Sequence, residues 1–329
     1  MRRALRPGLG LVATVLCVVY LIFQVDLHKS LEILRDVRLA PLLLAYAILI
    51  GALLPLAWRW QVLLRSRGVR EPYSALLRSY YVSYALGQLL PTSLGGDATR
   101  IVDVGRRHRE ARGAVAGSVI VERVLGGFAT LALAGLGVVL AAGRYDVGPY
   151  LWLELVIGVA AIVLAVVMFS RRARVALRPL LPVVRFLRVE RIARSLYAGV
   201  HGFRDRPGLL GGCFALTLGV QIFRVLTIYL AGRAAGVSLS ALPYFVLGPL
   251  LFLVMLVPFT VNGLALRESF FVSFLTQLGV SADQAFVTGF LYFLLSVALT
   301  IPGTILLGSS STRGLLRRAP TQERAAEPE

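Results

Sequence analysis

The chain has 329 residues, 57% of them hydrophobic and 16% charged, with a mean hydropathy of +0.76. That balance excludes a water-soluble globular domain. The net charge of +18 does not point to nucleic acid, because the arginines sit in short loops between apolar runs and not along one soluble face.

Apolar runs near 8–25, 41–57, 113–142, 150–170, 208–232 and 285–308 reach or approach the roughly 20 residues a helix needs to cross about 30 Å of hydrocarbon. The first follows a basic start, and large residues, with no small-x-small cleavage site, come after it, so it reads as a retained span. Loop charge then sets orientation, since short cytoplasmic loops hold excess Lys and Arg. Residues 1–7 carry Arg2, Arg3 and Arg6; 58–71 carry Arg59, Arg65, Arg67 and Arg70 against Glu71; 100–112 carry Arg100, Arg106, Arg107, Arg109 and Arg112 against Asp103 and Glu110. With the ten arginines of 171–207, these segments are expected inside. The charge-balanced segments 26–40 and 143–149 are expected outside.

Because 58–71 and 100–112 share a side, the apolar stretch 75–99 must enter and leave by one face, as a re-entrant hairpin or two short spans. Residues 241–280, between the weakly charged 233–240 and 281–285, follow the same logic from the opposite face. The expected fold is an all-α polytopic membrane protein of the cytoplasmic membrane, with about six full spans, two re-entrant or broken-helix hairpins and both termini cytoplasmic. It is one domain over 1–308, with units at about 41–142 and 208–308 linked by the basic segment 171–207. Apolar residues recur every three or four positions within 185–206, which suits either an interfacial helix under anionic membrane lipids or a solvated connecting helix. The tail 309–329 has no apolar pattern and is expected to be disordered.

Two stretches resemble each other: PTSLGGDATR, from Pro91 to Arg100, and PFTVNGLALR, from Pro258 to Arg267. Pro, Gly, Ala and Arg recur at identical spacing, and SRGV at 66–69 answers AAGV at 234–237, at an offset near 167. Chance in a biased composition is the bland explanation. The functional one is an inverted repeat, the pattern of secondary transporters whose sites form where broken helices meet near the midplane. Pro91 and Pro258 donate no backbone hydrogen bond, while Gly95, Gly96 and Gly263 allow close backbone approach. Unpaired amides at membrane depth need protein or a wet cavity, and helix N-termini there attract anions. Asp97 and Arg100, with Asn262, Arg267 and Glu268, are therefore expected around a polar cavity.

Charges also fall inside spans: Glu122 and Arg123 about ten residues into 113–142, and Arg224 in the middle of 208–232. At a helix centre each costs about 2.5–3.5 kcal/mol on insertion scales, so such groups pair, face a cavity and serve function. Adjacent positions point about 100° apart, so Glu122 and Arg123 need separate partners. The expectation is a cationic pocket of Arg123, Arg224 and one or both hairpin arginines for a phosphate-bearing headgroup, with Glu122 and Asp97 pairing with them when it is empty. A static ion pair holding helices together is the alternative. WRW at 58–60 reads as an interfacial aromatic belt with its Arg at the headgroups, and Tyr80, Tyr81 and Tyr84 as packing or interface residues. The three histidines, His28, His108 and His201, lie in loops, and Cys17 and Cys213 in apolar runs, so no metal, disulfide or cofactor is expected.

The run YALGQLLPTSLGGDATR, then VxxERVLG at 119–126, then VPFTVNGLALRE ending at Glu268, resembles the lysylphosphatidylglycerol synthase transmembrane, or flippase-like, family. That family includes the bacterial multiple peptide resistance factor, whose membrane half is similar to this chain over about residues 8–308. The resemblance implies lipid translocation between leaflets. It also implies that the family's motif falls here on Pro91, Gly95, Gly96, Asp97, Arg100, Glu122, Arg123, Pro258, Asn262, Gly263, Arg267 and Glu268. The soluble aminoacyl-transfer domain of the larger protein has no counterpart in the sequence, so synthesis of lysylphosphatidylglycerol is not expected.

The leading expectation is a flippase for a phosphate-bearing lipid or lipid-linked headgroup; no G-x-x-x-x-G-K-[ST] nucleotide loop occurs. A membrane-embedded glycosyltransferase using polyprenyl-phosphate sugars, with Asp97 or Glu122 as general base, is the enzymatic alternative. An accessory subunit of an envelope-lipid pathway is a third. A second copy of the chain or an envelope-lipid synthase are the expected protein partners.

Overall fold

The computed structural model describes residues 5–89, 94–141, 152, 156, 159, 202, 203, 205–255, 263 and 265–308. Pro91, Pro258 and Asn262 lie outside these residues. So do the loop 143–149, most of the basic connection 171–207, the tail 309–329 and, apart from three helical positions, the predicted span 150–170. No strand occurs among the described residues.

The first two helices are α1 (Leu5–Gln24) and α2 (Leu27–Arg35). Asp26 between them caps α2, its side chain accepting from the amides of His28 and Lys29. Those two amides, that of Lys29 foremost, hold the Asp26 carboxyl below the usual carboxylate range. Next come α3 (Leu39–Gly51) and α4 (Leu53–Arg65), one apolar stretch of 27 residues that runs well beyond the predicted 41–57. The break between them has a covalent cause. Pro55 has no N–H for the Gly51 carbonyl four residues back, and its ring crowds that carbonyl, so α3 ends at Gly51.

After α5 (Tyr73–Leu89), α6 (Leu94–Arg107) and a single 3-10 turn at Arg109–Ala111 comes α7 (Arg112–Ala141). The second series is α8 (Pro207–Ala234), α9 (Tyr244–Val254), α10 (Leu266–Thr276), α11 (Ala282–Ala298) and α12 (Ile301–Gly308). Pro207 opens α8 at the first helical position, where a missing N–H breaks nothing. Ser281 caps α11 by accepting from the Gln284 amide. Pro302 stands to Ala298, where α11 ends, as Pro55 stands to Gly51.

Among the described residues, four stretches are long and apolar enough to cross a membrane: Leu39–Arg65, Arg109–Gly137, Pro207–Ala234 and Ala282–Gly308, of 27 to 29 residues. At 1.5 Å per residue each covers about 40 Å, more than the hydrocarbon needs. They coincide with four of the predicted spans. The helices between them are shorter, from 17 residues in α5 to 11 in α9 and α10. At about 16 to 26 Å none of these crosses alone.

The core lies between the two series. α3 runs along α8, and Ala45, Leu49, Leu53 and Trp60 belong to one buried cluster with Val225, Ile228 and Ala231. Leu43, Leu44, Val139, Phe223 and Ile305 stay exposed, an apolar exterior of the kind that lipid covers. The last span of each series reaches across to the first short helix of the other: α7 packs on α9, and α12 on α5. Both contacts need glycine. A Cβ on Gly137 would sit 2.2 Å from the Phe245 carbonyl oxygen, and one on Gly303 would sit 2.1 Å from that of Tyr81.

Backbone cannot move aside as a side-chain tip can. Gly137→Ala and Gly303→Ala are each expected to destabilise the fold by about 1–3 kcal/mol or more. Gly135→Ala, whose Cβ meets nothing within 4 Å, should be close to neutral. Thermal unfolding of the purified protein in detergent measures all three. Equal melting temperatures for Gly135→Ala and Gly303→Ala would contradict the close contact.

Candidate functional site

Among the described residues one polar cluster joins five helices. α4 supplies Arg59 and Trp60, α5 Tyr80, α6 Asp97 and Arg100, α7 Ser118, Glu122 and Arg123, and α8 Thr217. α6 starts beside Gly95 and Gly96, and Gly96 lies so close to α5 that an added Cβ would stand 2.5 Å from the Ser83 carbonyl oxygen. This contact seats the first turn of α6, and with it Asp97, against α5. A carboxylate is favoured there by the helix N-terminus.

Glu122 is the hub. Its Oε1 accepts from Arg59 Nε at 3.2 Å, Arg59 Nη2 at 3.0 Å and the Tyr80 hydroxyl at 2.7 Å. Its Oε2 accepts from Arg100 Nη1 at 3.0 Å. Arg100 Nη2 donates to Asp97 Oδ1 at 2.7 Å, and Arg123 Nε donates to the other Asp97 oxygen. Arg59 Nη1 donates to Thr217 Oγ1 across to the second series. The Arg100 guanidinium lies over the rings of Tyr80 and Trp60, at 4.1 and 4.9 Å from their centroids. Trp60 is fixed in turn, its indole N–H donating to Ser118 Oγ at 3.0 Å.

Among the described residues three guanidinium groups thus face two carboxylates, with Arg59 and Arg100 buried and Arg123 half-exposed. Arg59, Arg100, Asp97 and Glu122 are all buried, whereas 43% of the Arg123 side chain is exposed. The cluster therefore has a closed side at Arg59 and an open side at Arg123. Glu122 lies ten residues into α7 and Arg59 six residues before the end of α4, about 15 and 9 Å along the two axes at 1.5 Å per residue.

Among the predicted site residues, Gly95, Gly96, Asp97, Arg100, Glu122 and Arg123 come together here. Glu122 and Arg123 do take separate partners, as their spacing requires. Arg224 does not join them. It donates to Gln221 Oε1 at 3.0 Å and lies 4.3 Å from the Phe252 ring centroid, in the contact between α8 and α9. Arg267 and Glu268 form a second buried pair at the start of α10, where Arg267 Nε and Nη2 both donate to Glu268 Oε1 at 2.9 and 2.6 Å. Gly263, upstream of them, has φ +69°, a conformation open to glycine, and a Cβ there would collide with Met255 Cε.

Arg59, Tyr80, Trp60 and Thr217 were not among the predicted site residues. For Arg59 and Trp60 the belt expectation is corrected: Trp58 is exposed as a belt residue would be, but Arg59 and Trp60 are buried. A signal was present in the sequence. The apolar run resumes at Val62, Leu63 and Leu64 after Arg59, so the charge is interior to the helix and does not mark its end. At the open end of the first hairpin, Glu71 accepts from Arg107 Nε at 3.0 Å and contacts His108 Nε2 at 2.9 Å, tying the loop before α5 to the end of α6.

Comparison with known families matches residues 8–303 to the one described as Lysylphosphatidylglycerol synthase TM region. No curated protein matches the chain.

Proposed function

Since the chain belongs to the lysylphosphatidylglycerol synthase TM-region family, and is thus a multi-pass membrane protein, we propose that it moves a phosphate-bearing lipid or lipid-linked headgroup between the leaflets of the cytoplasmic membrane. The observation that carries this reading is the buried cluster in which, among the described residues, Asp97 is shared by the buried Arg100 and the half-exposed Arg123. A phosphate presents several oxygens, as Asp97 presents two. It can therefore take the place of Asp97 on Arg123 and Arg100, exchanging one charge-assisted pair for another without leaving either guanidinium bare. Such exchange is what a transport site needs: binding strong enough to draw the headgroup from water, and an internal anion to release it. The glycosyltransferase reading is less well supported, because all four oxygens of Asp97 and Glu122 already accept from guanidinium groups. A general base must instead reach the substrate's proton within hydrogen-bond distance, and here guanidinium groups stand at each of those oxygens.

An inverted repeat suits this role. The order long stretch, two short helices, long stretch runs through 39–141 and again through 207–308, with Arg100 and Arg267 about 167 positions apart. The reciprocal packing of α7 on α9 and α12 on α5 is what a pseudo-two-fold axis in the membrane plane would produce. In this arrangement α5 with α6 and α9 with α10 are re-entrant hairpins from opposite faces, both termini are cytoplasmic and 1–308 is one domain with about six full spans. A reporter fused in the loop at Ser240 is expected on the outer face; a cytoplasmic signal there would remove the second hairpin from this scheme.

The direct test is reconstitution of the purified chain into liposomes with fluorescent phosphatidylglycerol and a membrane-impermeant quencher. Chemically unchanged lipid that becomes accessible from the opposite leaflet faster than in empty liposomes supports the translocator. A new lipid product would support an enzyme instead, and neither change would leave an accessory role.

A further inference from the structure

Among the described residues three buried side-chain atoms lack a hydrogen-bond partner: Ser30 Oγ, Arg100 Nε and Glu268 Oε2. Two of them lie in the second helices of the two hairpins, at nearly equivalent positions and with opposite character. In α6 the orphan is a donor on the Arg100 guanidinium, within the cationic cluster. In α10 it is an acceptor on a carboxylate. Native folds rarely leave a buried carboxylate oxygen empty, and an exception asks for a ligand or a functional reason.

We propose that Glu268 is a proton-binding site that couples movement of the lipid headgroup to the proton gradient, an inference that rests on the translocator reading. Both bonds from Arg267 converge on Oε1, at 2.9 and 2.6 Å, so Oε2 keeps its lone pairs uncommitted. The residue is 6% exposed and Arg267 5%. A sodium ion would need several oxygens around it, whereas a proton needs the single one that Glu268 presents.

Among the described residues Arg267 is the hydrogen-bond partner of Glu268. α10 packs against α1, α9 and α11. The titratable side chains described on those helices are Cys17 and Tyr20 on α1, Tyr244 on α9, and Asp283 and Tyr292 on α11, and none of them bonds to Glu268. Asp283 lies at the far end of α11, where it accepts from the Asp26 amide at 2.7 Å. Nearer by, the Ser269 hydroxyl is bonded to the Cys17 carbonyl oxygen, and the Phe293 ring lies 4.6 Å from the Arg267 guanidinium carbon. On its own element the charged neighbour is Arg267.

Uptake of a proton on Oε2 converts the carboxylate to the carboxylic acid, and no other bond is made or broken. Arg267 then loses its counter-charge while Phe293 still holds it, and becomes a receptor for phosphate. Loss of the proton restores the ion pair and expels the anion. Proton and phosphate thus bind with mutual reinforcement, as linkage requires of two ligands that favour the same state. The second hairpin would act as the proton-gated half of a site whose permanently cationic half is Arg59, Arg100 and Arg123.

The test uses the full chain in liposomes containing fluorescent phosphatidylglycerol, with imposed pH or sodium gradients, and infrared difference spectra of the same preparation on acidification. The wild type is expected to show a protonated-carboxyl band that disappears in Glu268→Gln. Its lipid movement should rise severalfold with a pH gradient and not with a sodium gradient. In Glu268→Gln the ratio of rates with and without the pH gradient should fall to about one. If Glu268→Gln fails to fold, the neutral pair Arg267→Gln with Glu268→Gln serves in its place. An acidification spectrum unchanged by the substitution overturns the proton site whatever the transport result. A pH-gradient response that survives the substitution, or a sodium response in its place, overturns the coupling. Lipid that never moves in the wild type, with the Glu268 band present, overturns both the translocator reading and the coupling, while protonation itself stands.

Discussion

Glu122→Ala is expected to lower the stability of the protein by about 3–5 kcal/mol, the usual consequence of removing one partner of a buried ion pair. The magnitude follows from what Glu122 holds. Arg59 and Arg100 are both buried, and each directs donors at this carboxylate; without it, among the carboxylates of the cluster, Arg100 keeps Asp97 and Arg59 keeps none. The Tyr80 hydroxyl also loses its acceptor, a further penalty of about 1–3 kcal/mol for a buried polar group. Glu122→Gln keeps the volume but presents an amide NH2 to guanidinium donors, so it should recover only part of the loss. Arg59→Met combined with Glu122→Met removes a charge of each sign and leaves Arg100 its Asp97. It should melt closer to the wild type than Glu122→Ala does. Thermal unfolding and size-exclusion profiles in detergent read this series. A Glu122→Ala protein that melts with the wild type would mean that the cluster does not hold α4, α6 and α7 together.

Arg123→Gln should do the reverse, sparing the fold and stopping transport. Its side chain is 43% exposed, and the pair it forms with Asp97 is screened on its open side, so the loss of stability should be about 1 kcal/mol or less. A guanidinium bond to a phosphate is worth about 1.5–3 kcal/mol. At about 1.4 kcal/mol per factor of ten, its loss predicts translocation about ten- to a hundredfold slower. Arg123→Lys retains the charge and loses the planar fork, and should fall between the two. The fluorescent-lipid assay measures the rates and the melting temperature controls for folding. Arg123→Gln that moves lipid at the wild-type rate would detach Arg123 from the translocation site.

The sequence alone determined membrane residence and the order of the long spans, because hydrocarbon thickness fixes the length of an apolar helix and nothing else in the chain can supply it. It also determined that Glu122 and Arg123 need different partners, a consequence of 100° per residue within one helix. Helix breaks were legible in principle from Pro55 and Pro302, which stop α3 and α11 four residues back. Partner identity was not legible. Arg59 lies 63 positions from Glu122 and Thr217 a further 95 beyond it, and which faces of α4, α7 and α8 meet depends on how the helices cross. That geometry is set in part by contacts such as Gly96 against Ser83, which the residue pattern of a single helix does not contain. For the same reason Arg224, as costly in its span as Arg123 in its own, ended beside Phe252 on α9 and not in the cluster. Periodicity places a side chain around its own helix axis, and only the packing of that helix against its neighbours decides what the side chain meets.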